Sequence, residues 1–95
     1  SLKAPKNLTV AQSGKKTLSI TWSFDSEASY YQVYRASSLN GKYALLGTYD
    51  KYTTYKRSTS LTSGRRYYYK VRSYKWVSGK RVFSPFSDIR SGVAK

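Results

Sequence analysis

The sequence predicts an all-β domain of short antiparallel strands, arranged as a sandwich or a barrel. Three observations support this prediction. Apolar and polar residues alternate along several segments, turn-forming residues separate those segments at close intervals, and no segment has the apolar spacing of an amphipathic helix. With 95 residues, the chain has the length of one domain with one modest core.

Strands are predicted where apolar and polar side chains alternate, because successive side chains of a strand point to opposite faces of the sheet. The longest such segments are 17–24 and 67–74, and shorter ones are 8–10 and 31–34. A further strand, 81–83, is predicted because it follows the Ser78-Gly79 turn. The apolar phase of this alternation, together with one leucine outside the strands, predicts a core of nine residues: Leu8, Leu18, Ile20, Trp22, Tyr31, Val33, Leu61, Tyr69 and Val71.

Short polar or glycine-containing segments separate the predicted strands. Ser13-Gly14, Asp25-Ser26-Glu27, Ser63-Gly64 and Ser78-Gly79 each have the composition of a turn. Asn40-Gly41 is typical of a two-residue type I′ hairpin turn, in which both residues need a positive φ. We therefore predict a tight hairpin at Asn40-Gly41.

Several segments resemble, in the right order, those of the fibronectin type III domain. Residues 4–10, 18–22 and 31–35 are similar to the first three strands of that family, and Ser84-Pro85-Phe86-Ser87 is similar to the entry to its last strand. The most specific match is Leu61-Thr62-Ser63-Gly64-Arg65-Arg66-Tyr67, whose leucine, glycine and tyrosine have the spacing of the family's tyrosine corner.

The resemblance implies a seven-stranded antiparallel immunoglobulin-like β-sandwich over residues 4–93. It also implies that the Tyr67 hydroxyl donates a hydrogen bond to the backbone a few residues upstream. On the residues alone, a small barrel that binds nucleic acid stays an alternative to the sandwich.

The resemblance further implies a class of function. Residues 40–43, 67–71 and 78–80 are similar to variants of the family in secreted and surface proteins of bacteria. Such domains are non-catalytic spacer or interaction modules, so the implied partners are the flanking domains of a larger exported protein. The implied location is extracellular or at the cell surface, and the implied state is a monomer. The loop before the last strand lacks Arg-Gly-Asp, so integrin binding is not implied.

The chain is strongly basic, with 18 lysine and arginine residues, 4 acidic residues and a net charge of +14. Such a charge favours anionic partners, namely nucleic acid, an anionic membrane surface, or an anionic cell-wall polymer or glycan. The basic residues are dispersed along the chain, so a solvated basic surface explains them about as well. We recognise no signal peptide and no apolar stretch of the roughly 18–20 residues that span a bilayer.

One set of side chains is a candidate binding surface. Four of them lie on the polar phase of the 67–74 strand, two lie on a probable neighbouring strand and one lies near the next turn: Tyr68, Lys70, Arg72 and Tyr74, then Tyr34 and Arg35, then Trp76. Interleaved aromatic and cationic side chains can stack sugars or bases and neutralise an anionic polymer. The favoured interpretation is structural, in which these side chains cover one another across neighbouring strands.

The sequence carries no recognisable catalytic constellation. It has no histidine and no cysteine, which excludes nucleophile–histidine pairs and cysteine-based zinc sites. Asp25 and Glu27 are the only acids close together, and they match no glycosidase or calcium pattern. We therefore predict no enzyme activity, no metal and no cofactor for this chain.

Overall fold

Eight β-strands make up the regular structure of residues 2–95, the part of the chain that the computed structural model describes. In chain order they are β1 (Thr9–Gln12), β2 (Leu18–Thr21), β3 (Tyr30–Ala36), β4 (Ala44–Asp50), β5 (Tyr55–Ser58), β6 (Arg66–Val77), β7 (Lys80–Phe83) and β8 (Arg90–Val93). One antiparallel sheet has the order β1–β2–β5. The second has the order β4–β3–β6–β7, with β8 also paired to β6.

The eighth strand arises because the last strand of the predicted seven is interrupted. Strands β7 and β8 lie along the same edge of the twelve-residue β6, on either side of Pro85. Proline has no N–H to donate, so the backbone ladder breaks there. Serine hydroxyls fill the gap: the backbone N–H groups of Val71 and Ser73 donate to the Oγ atoms of Ser87 (3.0 Å) and Ser84 (2.9 Å).

The core lies between the two sheets and contains the predicted residues. All nine are buried and belong to one packed cluster. Side chains of this size contribute about 1.5–3 kcal/mol each when they are buried. Leu2 and Ala94, which lie just outside the predicted limits of 4–93, are buried as well.

The two-residue hairpin turn lies at a different place in the chain from the predicted one. Ser78-Gly79 forms the two-residue turn with positive φ at both residues (52° and 78°), and it closes the pair between Val77 and Lys80. The prediction for Asn40-Gly41 is wrong, since neither residue has a positive φ. Strands β3 and β4 are joined by the longer loop 37–43, in which the Gly41 N–H donates to the Ser38 carbonyl. A loop of this length does not need a two-residue hairpin turn with positive φ.

The second predicted strand is shorter than the alternation suggested. Strand β2 ends at Thr21, and beyond it the Ser23 N–H donates to the Lys6 carbonyl. Trp22 is still buried, but Phe24 has left the sheet and is exposed in the loop before β3. The alternation therefore continued in the sequence beyond the end of the hydrogen-bonded strand.

Candidate functional site

The candidate surface is the outer face of the five-stranded sheet, and the strand register decides which side chains meet on it. Residues of β6 on this face lie opposite residues of β3 and β7, as in the pair between Tyr34 and Lys70. We call this surface the basic–aromatic face, and its residues are Tyr30, Gln32, Tyr34, Tyr68, Lys70, Arg72, Tyr74, Trp76, Arg81, Phe83 and Phe86.

Arg72 lies at the centre of the basic–aromatic face and is held there by neighbours. Its Nε donates to Gln32 Oε1 at 2.9 Å and its Nη2 donates to the Tyr34 hydroxyl at 3.1 Å. The guanidinium carbon lies 4.0 Å from the centre of the Phe83 ring and 5.1 Å from that of Phe86. These contacts are cation–π geometry, so the charge is already stabilised within the domain.

Lys70 has a similar aromatic environment. Its Nζ lies 4.1 Å from the centre of the Phe86 ring and 4.5 Å from that of Tyr43. Tyr43 comes from the loop 37–43, where its hydroxyl donates to the Leu39 carbonyl at 2.9 Å. Burial raises the pKa of the Tyr43 phenol, and the neighbouring Tyr68 phenol adds to this effect.

Tyr74 is on the basic–aromatic face as predicted, but it is not available to stack a ligand, because only 6% of its surface is exposed. Its ring stacks on Tyr30 with centroids 5.4 Å apart, and Phe83 lies at the same distance. Trp76 meets Tyr74 edge-on at 5.9 Å, and the Arg81 guanidinium lies 5.4 Å from the Tyr74 ring centre. Trp76 itself is 53% exposed.

The predicted position of Arg35 is wrong, because Arg35 lies on the opposite side of the sheet. Adjacent residues of a strand point to opposite faces, so Tyr34 and Arg35 cannot share one. Arg35 Nη1 donates to Ser58 Oγ of the other sheet at 2.9 Å, and its guanidinium lies 5.6 Å from the centre of the Tyr67 ring. Arg35 therefore contributes to the contact between the two sheets and not to the basic–aromatic face.

Sequence reasoning missed six residues on or beside the basic–aromatic face. They come from three different parts of the chain: Tyr30, Gln32, Tyr43, Arg81, Phe83 and Phe86. Phe83 and Arg81 could have been found by continuing the hairpin register through the Ser78-Gly79 turn. Tyr43 and Phe86 lie in loops, and no periodic pattern indicates where a loop side chain points.

The predicted tyrosine corner is present. Leu61 is buried, and the Tyr67 hydroxyl accepts a hydrogen bond of 2.8 Å from the backbone N–H of Thr62. The Gly64 N–H donates to the Ala94 carbonyl at 2.7 Å, which joins the loop before β6 to the end of β8. The direction of the tyrosine hydrogen bond is the reverse of the expected one, because the hydroxyl accepts.

Solved structures share this architecture, although the sequence matches no protein-family model and no curated protein. An Fn3-like protein from Clostridium thermocellum is 25% identical, with 92% of this chain and 86% of that chain covered and a TM-score of 0.77. The protein FN3tt in a mutant form is 22% identical, with 96% and 93% covered and a TM-score of 0.81.

The chain has the fibronectin type III fold. The same fold is found in a structure of titin kinase and its flanking domains, which is 15% identical with a TM-score of 0.77. The aligned region covers 98% of this chain but only 17% of the larger chain. Because the fold is a sandwich, the alternative prediction of a small barrel, on which the nucleic-acid-binding hypothesis depended, is wrong.

The acidic side chains of the described residues do not form a cluster. Within residues 2–95 no group of three or more acidic side chains could hold a metal ion. Asp25 Oδ1 accepts the Glu27 N–H at 2.9 Å, so this carboxylate stabilises its own turn. No helix that could span a membrane occurs in the described part of the chain.

Proposed function

We propose that this fibronectin type III domain is a non-catalytic spacer or interaction module of a larger, exported bacterial protein. Its partners are then the flanking domains, and it acts outside the cell or at the cell surface as a monomer, over about residues 4–93. The titin structure supports the role as a module of a long chain, and the Clostridium thermocellum protein supports a bacterial setting.

The observation that carries this proposal is how both ends of the chain are held. Residues 3–6 lie beside the loop 23–27, where the Lys6 carbonyl accepts the Ser23 N–H at 3.0 Å. At the other end of the sandwich, Ala94 is fully buried and its N–H donates to the Arg65 carbonyl at 3.0 Å. The Lys16 N–H also donates to the Lys95 carbonyl.

These contacts place the two ends of the described chain at opposite ends of a body whose longest dimension is 45 Å. Because both ends are fixed by backbone hydrogen bonds, a domain attached at either end starts from a defined position and direction. The mechanism is therefore geometric: the sandwich sets the distance and orientation between its neighbours, and it needs no binding site.

A distance measurement tests the geometric role. The chain has no cysteine, so Lys3→Cys and Lys95→Cys provide two unique positions for nitroxide labels. We expect electron–electron double resonance to give one narrow distribution of the distance between the two labels. This distribution should not change when folded domains are fused to both ends. A broad distribution, or one that shifts with the fused domain, would contradict a spacer of fixed length.

A second candidate function is binding of an anionic polymer or glycan on the basic–aromatic face. One observation favours it, namely the exposed Trp76 ring beside Arg81. Stacking on such a ring adds about 1–3 kcal/mol that salt does not screen. The test is titration of heparin, teichoic acid and DNA at low and at physiological salt.

For the spacer, we expect binding of all three polymers to fade by physiological salt, because the Debye length is then about 8 Å and distant charges no longer contribute. Tyr55→Ala is the control for Trp76→Ala, because each variant removes an exposed aromatic ring and the two rings lie on different sheets. Micromolar binding of one polymer that persists at physiological salt and is lost only in Trp76→Ala would favour the binding module instead.

A further inference from the structure

The hairpin between β6 and β7 extends beyond the body of the sandwich. Tyr30, the first residue of β3, lies opposite Tyr74, so from residue 75 onward β6 has lost this neighbour. Residues 75–77 then pair only with 80–82, through the type I′ turn at Ser78-Gly79. We call residues 75–82 the tip hairpin.

The tip hairpin exposes apolar side chains on both of its faces. Trp76 lies on the face that it shares with Arg81. Val77 and Val82 lie on the other face, and they are 45% and 39% exposed. Apolar groups exposed on two opposite faces are unusual for a hairpin in water, since neither face has another layer to pack against.

The charged residues of the tip hairpin are all cations. Lys75 and Lys80 lie among the valines, and Arg81 lies opposite Trp76. The segment from Tyr74 to Ser87 contains no acidic residue. Of the acids in the loop before β3, Asp25 already accepts a hydrogen bond within its own turn.

We propose that the tip hairpin inserts into the interface of an anionic phospholipid bilayer. A groove on a protein typically covers one face of a hairpin, whereas the headgroup region surrounds an inserted tip and covers both faces. Tryptophan is favoured at this depth, and lysine and arginine side chains reach the lipid phosphates. The alternation of apolar and cationic residues on each face fits this environment.

The dimensions and stiffness of the tip hairpin agree with the proposal. Three strand residues on each side of the turn, at about 3.3 Å each, reach about 10 Å, and interfacial segments bury their apolar side to a depth of about 5–10 Å. The positive φ of Ser78 and Gly79 and the edge-on contact of Trp76 with Tyr74 hold the tip in one conformation. Little conformational entropy is then lost on insertion.

Tryptophan fluorescence with lipid vesicles tests the proposal. The chain has two tryptophans, of which Trp22 is buried in the core, so an added change in emission on binding reports Trp76. We expect vesicles of phosphatidylglycerol and phosphatidylcholine to shift the emission to shorter wavelength at physiological salt. Vesicles of phosphatidylcholine alone and soluble heparin should not produce this shift.

A matched pair of variants separates insertion from general charge attraction. Val77→Asp and Leu39→Asp each add one negative charge at a residue that is 45% or 50% exposed, and Leu39 lies in the loop 37–43 away from the tip hairpin. We expect Val77→Asp to weaken vesicle binding at least about tenfold and Leu39→Asp to weaken it no more than about threefold. Both sites are exposed, so both variants should keep the wild-type thermal unfolding midpoint.

Equal effects of the two variants, or binding without an emission shift, would overturn the proposal. An emission shift with heparin equal to that with vesicles would overturn it as well, and would assign Trp76 to a soluble polyanion. The spacer proposal is independent of these outcomes, because the distance between the two chain ends does not involve the tip hairpin.

Discussion

The phenolic oxygen of Tyr67 accepts a hydrogen bond of 2.8 Å from the backbone N–H of Thr62, five residues earlier in the chain. This contact fastens the loop between β5 and β6 to the beginning of β6. The hydrogen bonds from Thr62 lower the pKa of Tyr67, and the charges of Arg65 and Arg35 act in the same direction. The tyrosine corner therefore connects the loop before β6, the beginning of β6 and the Arg35 guanidinium between the two sheets.

Tyr67→Phe is expected to destabilise the domain by about 1 kcal/mol, because phenylalanine keeps the ring but leaves the Thr62 N–H without its acceptor. Tyr68→Phe is the control, since Tyr68 is the next residue and points to the other face; its effect should stay within about 0.5 kcal/mol. Urea unfolding measures both. Equal midpoints for the two variants would show that the corner hydrogen bond does not stabilise the fold.

Tyr31→Phe is expected to lower the free energy of unfolding by about 1–2 kcal/mol, because it too leaves a backbone N–H without its acceptor. Tyr31 is fully buried, and its hydroxyl accepts the backbone N–H of Asp25 at 2.8 Å, which holds the loop between β2 and β3. Tyr52→Phe, at an exposed tyrosine of another loop, should leave the unfolding midpoint in urea unchanged. A midpoint for Tyr31→Phe equal to that of the wild type would contradict this role.

Tyr69→Phe is expected to leave stability at pH 7 unchanged or to raise it by up to about 1 kcal/mol. Tyr69 is fully buried, and its hydroxyl has no hydrogen-bond partner of good geometry among residues 2–95. Phenylalanine would keep the packing of the ring and remove the unpaired hydroxyl. A loss of more than about 1 kcal/mol in urea unfolding would indicate that the hydroxyl is bonded after all.

Stability is expected to fall as the pH rises above about 10, and less steeply in Tyr69→Phe than in the wild type. Burial raises the pKa of Tyr69 above its ordinary value of 10.0, although nearby Ser58 and Arg35 partly oppose this. Below that value the phenol is protonated in both states; above it the unfolded chain loses the proton first, which favours unfolding. Unfolding midpoints between pH 8 and about 11 give both slopes, and identical slopes would contradict the assignment.

Arg72→Ala is expected to destabilise the domain by about 1–2 kcal/mol, because it removes two hydrogen bonds and two close aromatic contacts. Lys75→Ala is the matched loss of one charge on the same strand and should stay within about 0.5 kcal/mol. Both should weaken heparin binding at low salt to the same extent. A much larger loss of binding in Arg72→Ala at unchanged stability would identify the face as a binding site.

Period-two alternation by itself determined the all-β class and most of the core. The direction of a side chain relative to its neighbours in a strand is a local property, so Leu18, Ile20, Val33 and Val71 could be assigned to the interior without knowing what they pack against. The leucine, glycine and tyrosine of the corner, close together in the chain, were likewise visible in the sequence.

Only the tertiary structure decided how the basic–aromatic side chains are used. Tyr74 is buried because the register of β3 and β7 places Tyr30 and Phe83 against it, and Trp76 is exposed because β3 does not extend that far. Tyr30 is 44 residues away from Tyr74 in the chain. Their alignment depends on register and loop length, which are set by the packing of the whole sandwich and leave no periodic signal in a single strand.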